Sequence, residues 1–215
     1  MCNVSIAIDG PAGAGKSTIA KIIAKIKNFT YIDTGAMYRA VTLKILEENV
    51  SLQDRKKIEH ILMNTRIDFI DNDIYLNDIK VTQKIRSPQI NQIVSDVAKI
   101  PIVRKRLVEL QQKIAQQHSV VMDGRDIGTY VLPRATFKFF LTASIETRAK
   151  RRFDELKEKN YSISLAEVQS EIENRDSIDS GRELAPLTQA EDAILIDTTG
   201  MSIEEVVNEL LSYIQ

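Results

Sequence analysis

The stretch Gly10–Lys21 reads GPAGAGKSTIAK and directly follows the largely apolar run Val4–Asp9, which reads VSIAID. It matches the pattern G-x-x-x-x-G-K-[ST], which is typical of a loop that binds nucleotide phosphates. Its glycines let successive backbone N–H groups turn toward one anion, and the helix that follows adds its positive end. In this pattern Lys16 reaches the β- and γ-phosphates, and the Ser17 hydroxyl binds Mg²⁺. The stretch therefore predicts a P-loop after a strand.

A P-loop by itself leaves the reaction open. Switch GTPases, transport ATPases and small-molecule kinases all carry one. The chain contains no N-K-x-D motif for reading guanine and no LSGGQ-like transporter signature, which counts against the first two classes. The remaining class contains kinases that phosphorylate one particular nucleoside monophosphate. Two alternatives to that function stay open. One is a kinase for another monophosphate such as UMP, and the other is a P-loop switch GTPase or regulatory binding module.

The composition is that of an ordinary globular domain. The 215 residues are 43% hydrophobic and 27% charged, which suits one substantial core with at most a small inserted lobe. The net charge of −1 gives no reason to expect a nucleic acid as partner. No apolar run approaches the roughly 20 residues of a membrane span, and the only cysteine, Cys2, cannot form an intrachain disulfide. We therefore expect a cytoplasmic monomer with no membrane or nucleic-acid partner.

Short β-type runs alternate with helical patterns along most of the chain. The runs are Ser5–Ile8, Thr30–Ile32, Ser119–Met122, Phe137–Leu141 and Ala193–Ile196. Such alternation predicts an α/β protein in which helices cover both faces of a parallel sheet.

One segment departs from this alternation. Arg66–Val81 reads RIDFIDNDIYLNDIKV and contains three short extended runs. The Asn-Asp pairs at 72–73 and 77–78 suit tight turns between these runs. An antiparallel meander within a parallel α/β protein indicates an inserted lobe. We place this lobe at residues 65–100 and the core at residues 1–64 and 101–215.

Charged residues on a predicted helix give a further functional signal, because phosphoryl transfer depends on cations placed around the transferred group. A helix is expected to open at Leu165, after the capping box formed by Ser164 and Glu167. One face of this helix, if it runs far enough, carries Leu165, Val168, Ile172, Arg175, Asp179 and Arg182. An inward face that changes from apolar to charged should line a cleft for a charged ligand. The alternative is a polar helix end with ion pairs of its own.

Three other clusters carry charge in informative places. Arg148, Arg151 and Arg152 share one helix face, which could equally be a solvated basic surface. The tetrapeptide 123–126 (DGRD) and the stretch Tyr31–Arg39 both lie at the ends of predicted strands. Ligands of open α/β sheets bind beyond the carboxyl ends of strands, so both stretches are candidates for a binding site.

Four blocks of the sequence resemble the cytidylate kinase family of bacterial type, in its order and spacing. They are GPAGAGKST, YIDTGAMYRA, MDGRDIGT and RDSIDSGRELAPL, and the resemblance runs from about Val4 to Tyr213. The inserted lobe resembles the enlarged nucleoside-monophosphate-binding domain of that family. The first helix ends without the glycine often seen there, but Asn28 can take the left-handed stop.

The resemblance implies both a fold and a reaction. The fold is a P-loop NTPase core with a five-stranded parallel sheet flanked by helices, a small inserted antiparallel β plus helix lobe that binds the monophosphate, and a helical lid at about 148–183. The reaction is transfer of the γ-phosphoryl group of ATP to CMP or dCMP with Mg²⁺, giving CDP or dCDP and ADP in pyrimidine nucleotide metabolism.

The resemblance also implies roles for single residues. ATP would be bound by Gly10, Pro11, Ala12, Gly13, Ala14, Gly15, Lys16, Ser17 and Thr18, together with the lid residues Arg148, Arg151 and Arg152. The acceptor nucleotide would be bound by Thr34, Arg39, Ser95, Arg104, Asp123, Arg125, Asp126, Arg175, Asp179 and Arg182. Within that set, the acceptor phosphate would be bound by Arg39, Arg125 and Arg182. Cytosine would be read by Ser95, Arg104 and Asp126. The ribose or adjoining phosphate would be bound by Arg175 and Asp179. The catalytic group would be Lys16, Arg125, Arg151 and Arg182. The expected metal ligands are Ser17 and Asp33, although Asp123 also ends a strand and either aspartate could act through water.

Overall fold

The computed structural model describes residues 3–70, 73–158 and 161–214, so Cys2 and Asn72 lie outside the described residues. The described strands are β1 (Ser5–Asp9), β2 (Thr30–Asp33), β3 (Ile67–Ile70), β4 (Asp73–Leu76), β5 (Ile79–Lys80), β6 (Val120–Asp123), β7 (Phe137–Thr142) and β8 (Ile194–Asp197). The described helices are α1 (Lys16–Lys27), α2 (Thr34–Glu47), α3 (Arg55–Met63), α4 (Pro88–Lys99), α5 (Pro101–Gln117), α6 (Ile145–Glu158), α7 (Leu165–Ser180) and α8 (Ile203–Tyr213). A 3₁₀ turn at Lys84–Arg86 and a π-helical turn at Ile127–Val131 complete the described elements.

The chain divides into two compact units. The first, which we call the sheet unit, takes in the described residues of Met1–Tyr31 and His118–Gln215. The second, which we call the helical unit, takes in those of Ile32–Gln117. No helix in the described part of the chain combines the length and the hydropathy that a membrane crossing requires.

A parallel sheet forms the centre of the sheet unit, with strand order β2-β6-β1-β7-β8. The central strand β1 pairs in parallel with both neighbours, and Ile8 lies opposite Asp123 of β6 and Phe139 of β7. β7 pairs in parallel with β8 in the same way. Strand β2 joins at the edge, where the Thr30 N–H donates to the Ser119 carbonyl oxygen over 2.9 Å. The predicted five-stranded parallel sheet is confirmed.

The core of the sheet unit explains why β1 reads as a nearly continuous apolar run. Ile6 and Ile8 are completely buried in one cluster with Ile23 of α1 and Leu210 of α8. Strands of a parallel sheet are covered on both faces, so they show no polar alternation. Helix α1 ends at Asn28 in the left-handed region, with φ at 56°, which confirms the stop expected for this helix.

Helices α6 and α7 pack against each other in the sheet unit. Ala149 and Leu156 of α6 meet Val168 and Ile172 of α7, and Ala12 of the P-loop joins the same cluster. The capping box at Ser164 and Glu167 is present, as the sequence predicts. Helices α6 and α7 cover most of the described residues of segment 148–183. The action of this segment as a lid remains a prediction.

Two details of the predicted α7 face are wrong. Leu165 is 45% exposed, because the contact with α6 begins about one turn later, at Val168. Arg182 lies beyond the helix, which ends at Ser180 with Gly181 as its cap. The continuous six-residue face is thus shorter at both ends, although Arg182 still meets Asp179, as described below.

The helical unit contains the predicted meander. β3, β4 and β5 form a separate antiparallel sheet, in which Ile67 lies opposite Leu76 and Tyr75 opposite Lys80. Asn77 and Asp78 both have positive φ in the second turn, which is why short polar residues occur there. Helix α2 packs against β4 and also against α3 and α5 of the same unit, so the compact unit is larger than the predicted lobe. The boundaries at 65–100 remain a prediction.

Candidate active site

The predicted site residues are divided between the two units. The sheet unit holds Gly10–Thr18, Asp123, Arg125, Asp126, Arg148, Arg151, Arg152, Arg175, Asp179 and Arg182. The helical unit holds Asp33, Thr34, Arg39, Ser95 and Arg104.

The P-loop requires glycine where the backbone approaches its neighbours. A Cβ at Gly10, where φ is 143°, would lie 1.9 Å from the backbone oxygen of Leu141 on β7. At Gly13, where φ is 77°, it would lie 2.9 Å from the backbone oxygen of Arg148 on α6. The loop is therefore pressed between β7 and α6, and its conformation is fixed by packing as well as by sequence.

Lys16 is a buried cation at the first residue of α1. Its Nζ donates to the Pro11 carbonyl oxygen over 2.7 Å, which holds the side chain across the loop. Burial lowers the pKa of Lys16 well below its usual range, Arg125 and Arg175 act in the same direction, and Asp123 opposes them. The positive charge around the loop is therefore only partly compensated by carboxylates. A polyphosphate would supply the missing negative charge.

Ser17 and Asp123 meet directly. The Ser17 hydroxyl donates to Asp123 Oδ2 over 2.7 Å, and the buried Tyr31 hydroxyl donates to Asp123 Oδ1 over 2.8 Å. Each carboxylate oxygen thus accepts from one hydroxyl. A Ser hydroxyl beside a carboxylate provides oxygen ligands of the kind that Mg²⁺ prefers, with phosphates and water completing its shell.

Asp33, the other candidate metal ligand, has a different environment in the helical unit. Its Oδ1 accepts the Ala36 N–H over 2.7 Å and so caps α2. Its carboxylate also pairs with Arg39 at 3.3 Å and with Arg86 at 3.0 Å. Both oxygens therefore face guanidinium groups. Among the described residues, no group of three or more His, Cys, Asp or Glu side chains could hold a metal ion.

Asp179 brings together Arg125 and Arg182, two arginines of the predicted site. Arg125 Nε donates to Asp179 Oδ2 over 2.7 Å, and Arg182 Nη2 donates to Asp179 Oδ1. Burial opposes the ionised form of Asp179, but Arg125, Arg182 and Arg175 together hold its pKa below the usual value. Three arginines around one carboxylate leave an excess of positive charge, which suits an anionic ligand.

The three predicted lid arginines make different contacts. Arg148 is buried, and its guanidinium donates to the backbone oxygens of Ala143 at 3.0 Å and Ala12 at 3.1 Å. Asp176 of α7 pairs with Arg148 and accepts the Ala12 N–H over 3.2 Å. Arg148 thus holds the P-loop backbone, which the sequence did not indicate.

Arg151 and Arg152 complete this group on α6. Arg151 donates to the Thr198 hydroxyl at 2.9 Å and to the Thr198 carbonyl oxygen at 2.8 Å. Its Nη1 would lie 4.0 Å from a Cβ on Gly15, so its guanidinium borders the P-loop. Arg152 pairs with Glu155 at 2.6 Å on the helix surface.

Sequence reasoning missed Asp9. This buried carboxylate accepts the N–H groups of Ile127 at 2.8 Å and Gly128 at 2.7 Å, in the π-helical turn that follows Asp126. Burial raises the pKa of Asp9 to about 7, Asp126 adds to this effect, and the two N–H groups oppose it. A charged residue at the end of the apolar run VSIAID was the signal that could have revealed it. Asp9 fixes the turn next to Arg125 and Asp126.

The helical unit contains buried polar residues at the predicted positions. Arg104 of α5 is 1% exposed, its Nε donates to the Ala98 carbonyl oxygen over 3.2 Å, and its guanidinium lies 5.4 Å from the Tyr38 ring centre. Ser95 on α4 and Thr34 at the start of α2 are also buried. Burying a guanidinium costs free energy, so its retention in this interior is typical of a functional residue.

The sheet order and the Lys16 loop that follows its central strand define the class of protein, one with a P-loop nucleotide-binding fold. Solved kinase structures share the fold. The shikimate kinase of Bacteroides thetaiotaomicron matches with a TM-score of 0.52 and 15% sequence identity, over 98% of each chain. At that identity the likeness concerns the fold alone.

Sequence comparisons give the particular family. The family model for cytidylate kinase matches residues 6–215. The cytidylate kinase of Caldanaerobacter subterraneus subsp. tengcongensis is 56% identical over 99% of this chain and 95% of that protein. The cytidylate kinase of Clostridioides difficile is 54% identical over 100% of this chain and 99% of that protein. The chain belongs to the cytidylate kinase family, which confirms the resemblance of the four sequence blocks.

Proposed function

We propose that this chain transfers the γ-phosphoryl group of ATP to CMP or dCMP, giving CDP or dCDP and ADP. Membership of the cytidylate kinase family supports CMP as acceptor and ATP as co-substrate. The observation that carries the proposal is the arginine cluster around Asp179, formed in the same unit as the P-loop and its buried Lys16. A P-loop that only hydrolysed its nucleotide would not need a second cationic cluster of this kind.

The donor is assigned to the P-loop. Gly10–Thr18 binds the ATP phosphates, and Lys16 stabilises the negative charge that develops between the β- and γ-phosphates. Arg151, whose guanidinium borders Gly15, is assigned to binding the same phosphates. The contacts of Arg148 support a different role from the one its motif implied, namely holding the Ala12 peptide of the loop. Arg152 is assigned to the ATP phosphates only by the family resemblance.

Mg²⁺ belongs to this proposal. Its ligands on the protein would be Ser17 and Asp123, since these two residues meet and Asp33 is engaged with arginines. When bound, the ion neutralises charge on the phosphate oxygens.

The acceptor is assigned to the residues that the family resemblance implies. In the sheet unit, Arg125 and Arg182 bind its phosphate. Arg175 and Asp179 bind the ribose or adjoining phosphate, and Asp126 binds the cytosine amino group. In the helical unit, Arg39 binds the phosphate, and Ser95 with Arg104 reads cytosine. Thr34 is assigned to the acceptor with no narrower role. The burial of Ser95, Arg104 and Asp126 supports base reading, because hydrogen bonds discriminate best where water is excluded.

Segment 148–183 is proposed to act as a lid. Hydrolysis of ATP by water is the competing reaction, and a lid that completes the site only with both substrates present suppresses it.

We also propose that the protein works as a cytoplasmic monomer without nucleic acid or membrane. Its nearly balanced charge supports the absence of a nucleic-acid partner.

The test is ADP production from Mg·ATP with a panel of monophosphates. We expect strong stimulation by CMP and dCMP and little ADP without an acceptor. The Lys16→Ala variant should lose at least about a hundredfold in turnover, the effect of removing one electrostatic stabiliser. Lys25→Ala, which removes an exposed lysine of the same helix, is the matched control and should behave as the wild type. Slow hydrolysis that ignores every acceptor would instead indicate a switch or regulatory module.

A further inference from the structure

Asp9 is a buried acid to which neither the sequence motifs nor the proposed reaction gives a role. It is the last residue of β1, directly before the P-loop, and it is 4% exposed. Its Oδ1 accepts the Ile127 N–H over 2.8 Å, and its Oδ2 accepts the Gly128 N–H over 2.7 Å. Successive N–H groups that point at one anion form a binding nest. Here the chain itself supplies the anion, and each carboxylate oxygen holds one N–H.

The N–H groups that Asp9 holds belong to the π-helical turn Ile127–Val131. Asp126 directly precedes this turn, and its carbonyl oxygen accepts the N–H groups of Tyr130 at 2.9 Å and Val131 at 3.1 Å. Such turns are rare and frequently occur at functional sites. Asp9 therefore fixes the backbone of the two residues that follow Asp126, and with it the point from which the Asp126 side chain leaves the chain.

Close packing at Gly128 leaves the turn little freedom. A Cβ at this position would lie 3.3 Å from Asp9 Oδ2 and 3.2 Å from Cδ of Lys138 on β7. Lys138 is itself held in place, because its Nζ donates to the Pro133 carbonyl oxygen over 2.7 Å and to Asp192 over 2.8 Å. Gly128 thus lies against two side chains whose positions are fixed by hydrogen bonds.

The carboxyl groups of Asp9 and Asp126 influence each other. Both residues are 4% exposed, and the charge of Asp126 contributes to raising the pKa of Asp9. The two carboxyl groups are therefore near enough to interact, although Asp9 is bound to the turn and Asp126 is assigned to the base.

We propose that Asp9 is a positioning residue for base recognition, which sets the contact of the Asp126 carboxylate with the amino group of a 4-aminopyrimidine nucleotide. The inference rests on the proposed role of Asp126 in reading cytosine. Asp9 acts through the turn, and Asp126 makes the contact with the base. A displacement of about 1 Å can cost on the order of a hundredfold in rate, so the position of this carboxylate matters for the choice of acceptor.

The Asp9→Asn variant tests this assignment. Its amide has one acceptor oxygen, so one of the N–H groups of Ile127 and Gly128 loses its partner. We expect the ratio of kcat/KM for CMP to that for UMP to fall about tenfold, the effect of losing one charge-assisted contact. The ratio cancels any loss in the P-loop or in the folded fraction that affects both acceptors equally. Glu204→Gln, which removes an exposed acid of α8 in the same unit, should keep the wild-type ratio.

A double-mutant cycle with Asp126→Asn separates positioning from a general structural role. If Asp9 acts through Asp126, adding Asp9→Asn to the Asp126→Asn variant should leave the CMP/UMP ratio unchanged. A fall by the same factor in both backgrounds overturns the inference, and so does an unchanged ratio in the Asp9→Asn single variant.

Gly128→Ala moves the same turn while Asp9 is kept, and it decides the question if Asp9→Asn does not fold. The added methyl group is too close to Asp9 Oδ2 for ordinary contact, so the turn or its neighbours must shift by a few tenths of an ångström. The CMP/UMP ratio should fall by less than in Asp9→Asn, and only when Asp126 is present. An unchanged ratio in Gly128→Ala would then overturn the inference.

Two further measurements distinguish this inference from the proposed function. Failure of the wild-type protein to phosphorylate CMP would sink the proposed function, and this is measured before any variant. An unchanged CMP/UMP ratio in the Asp126→Asn single variant would overturn the inference about Asp9, because Asp126 would not read the base, and would leave the kinase activity standing.

Discussion

The guanidinium group of Arg148 donates a hydrogen bond over 3.1 Å to the backbone oxygen of Ala12, so helix α6 holds the P-loop from outside. Asp176 on α7 accepts the N–H of the same residue over 3.2 Å and pairs with Arg148. Both polar groups of the Ala12 backbone are therefore bound to the α6 and α7 helices. The phosphate-binding loop and the predicted lid share one hydrogen-bonded cluster.

The first prediction concerns this cluster. Arg148→Met should lower the free energy of unfolding by about 1–3 kcal/mol without any nucleotide, because Asp176 and the Ala12 carbonyl lose their donor. Affinity for ATP should fall as well, since the loop is held less firmly. Denaturant unfolding of the nucleotide-free protein gives the first quantity, and Lys150→Met, an exposed site on α6, is the matched control. Unchanged stability without nucleotide would mean that Arg148 acts only on bound ATP.

The second prediction concerns Tyr31, whose hydroxyl donates to Asp123 Oδ1. Partners behind a metal-supporting carboxylate orient it, and their loss typically costs 10- to 100-fold in metal affinity. Tyr31→Phe should therefore weaken Mn²⁺ binding to the ADP complex by about tenfold, as followed by electron paramagnetic resonance. Tyr213→Phe, which removes the hydroxyl of a half-exposed tyrosine on α8, should bind Mn²⁺ as the wild type does. Equal Mn²⁺ affinity in the Tyr31 variant would show that the Asp123 carboxylate needs no such support.

The third prediction concerns the pH dependence of stability at Asp9. Its pKa is raised from 3.8 to about 7 in the folded protein, so folding takes up a proton between these two pH values. The contribution of Asp9 to stability therefore falls as pH rises from about 4 to about 7 and is constant above that. The full difference of about three pKa units corresponds to roughly 4 kcal/mol.

The Asp9→Asn variant isolates this contribution. Asparagine does not titrate, so the wild type should lose stability relative to the variant as pH rises from about 4.5 to 7. The amide also presents a donor to one of the N–H groups of Ile127 and Gly128, which adds an offset that does not depend on pH. Urea unfolding at several pH values measures the difference. If it stays constant across this range, Asp9 is ionised in the folded protein throughout.

The fourth prediction concerns the choice between cytosine and uracil. Cytosine has an amino donor at C4 and an acceptor at N3, and uracil has the reverse pattern. A carboxylate at Asp126 suits the amino group, and the Arg104 guanidinium suits N3. Uracil would set its C4 oxygen against the carboxylate and its N3 hydrogen against the guanidinium. These two mismatched contacts should separate CMP from UMP by about a hundredfold or more. Asp126→Asn relieves one mismatch, so the ratio of kcat/KM for CMP to that for UMP should narrow by at least about tenfold. Steady-state kinetics on both acceptors decide it, and an unchanged ratio would place base reading elsewhere.

Much of the fold was predictable because its signals are local. The glycines and Lys16 of the P-loop lie within a few residues of one another, and so do the Ser164–Glu167 capping box and the Asn28 stop. Each signal depends on backbone conformations and hydrogen bonds that involve only residues close together in the sequence. The alternation of strands and helices then limits the topology to a few parallel arrangements.

The sequence by itself thus determined the P-loop, the parallel α/β core, the antiparallel meander and the family. Only the tertiary structure decided the partners of charged side chains. Arg148 meets Ala12 across 136 residues of chain, and Ser17 meets Asp123 across 106. Such partners are set by which strands and helices become neighbours, and a buried charge then binds whatever acceptor or donor packing brings within reach. For the same reason Asp33 and Asp123, which end strands alike in the sequence, face arginines in one case and hydroxyls in the other.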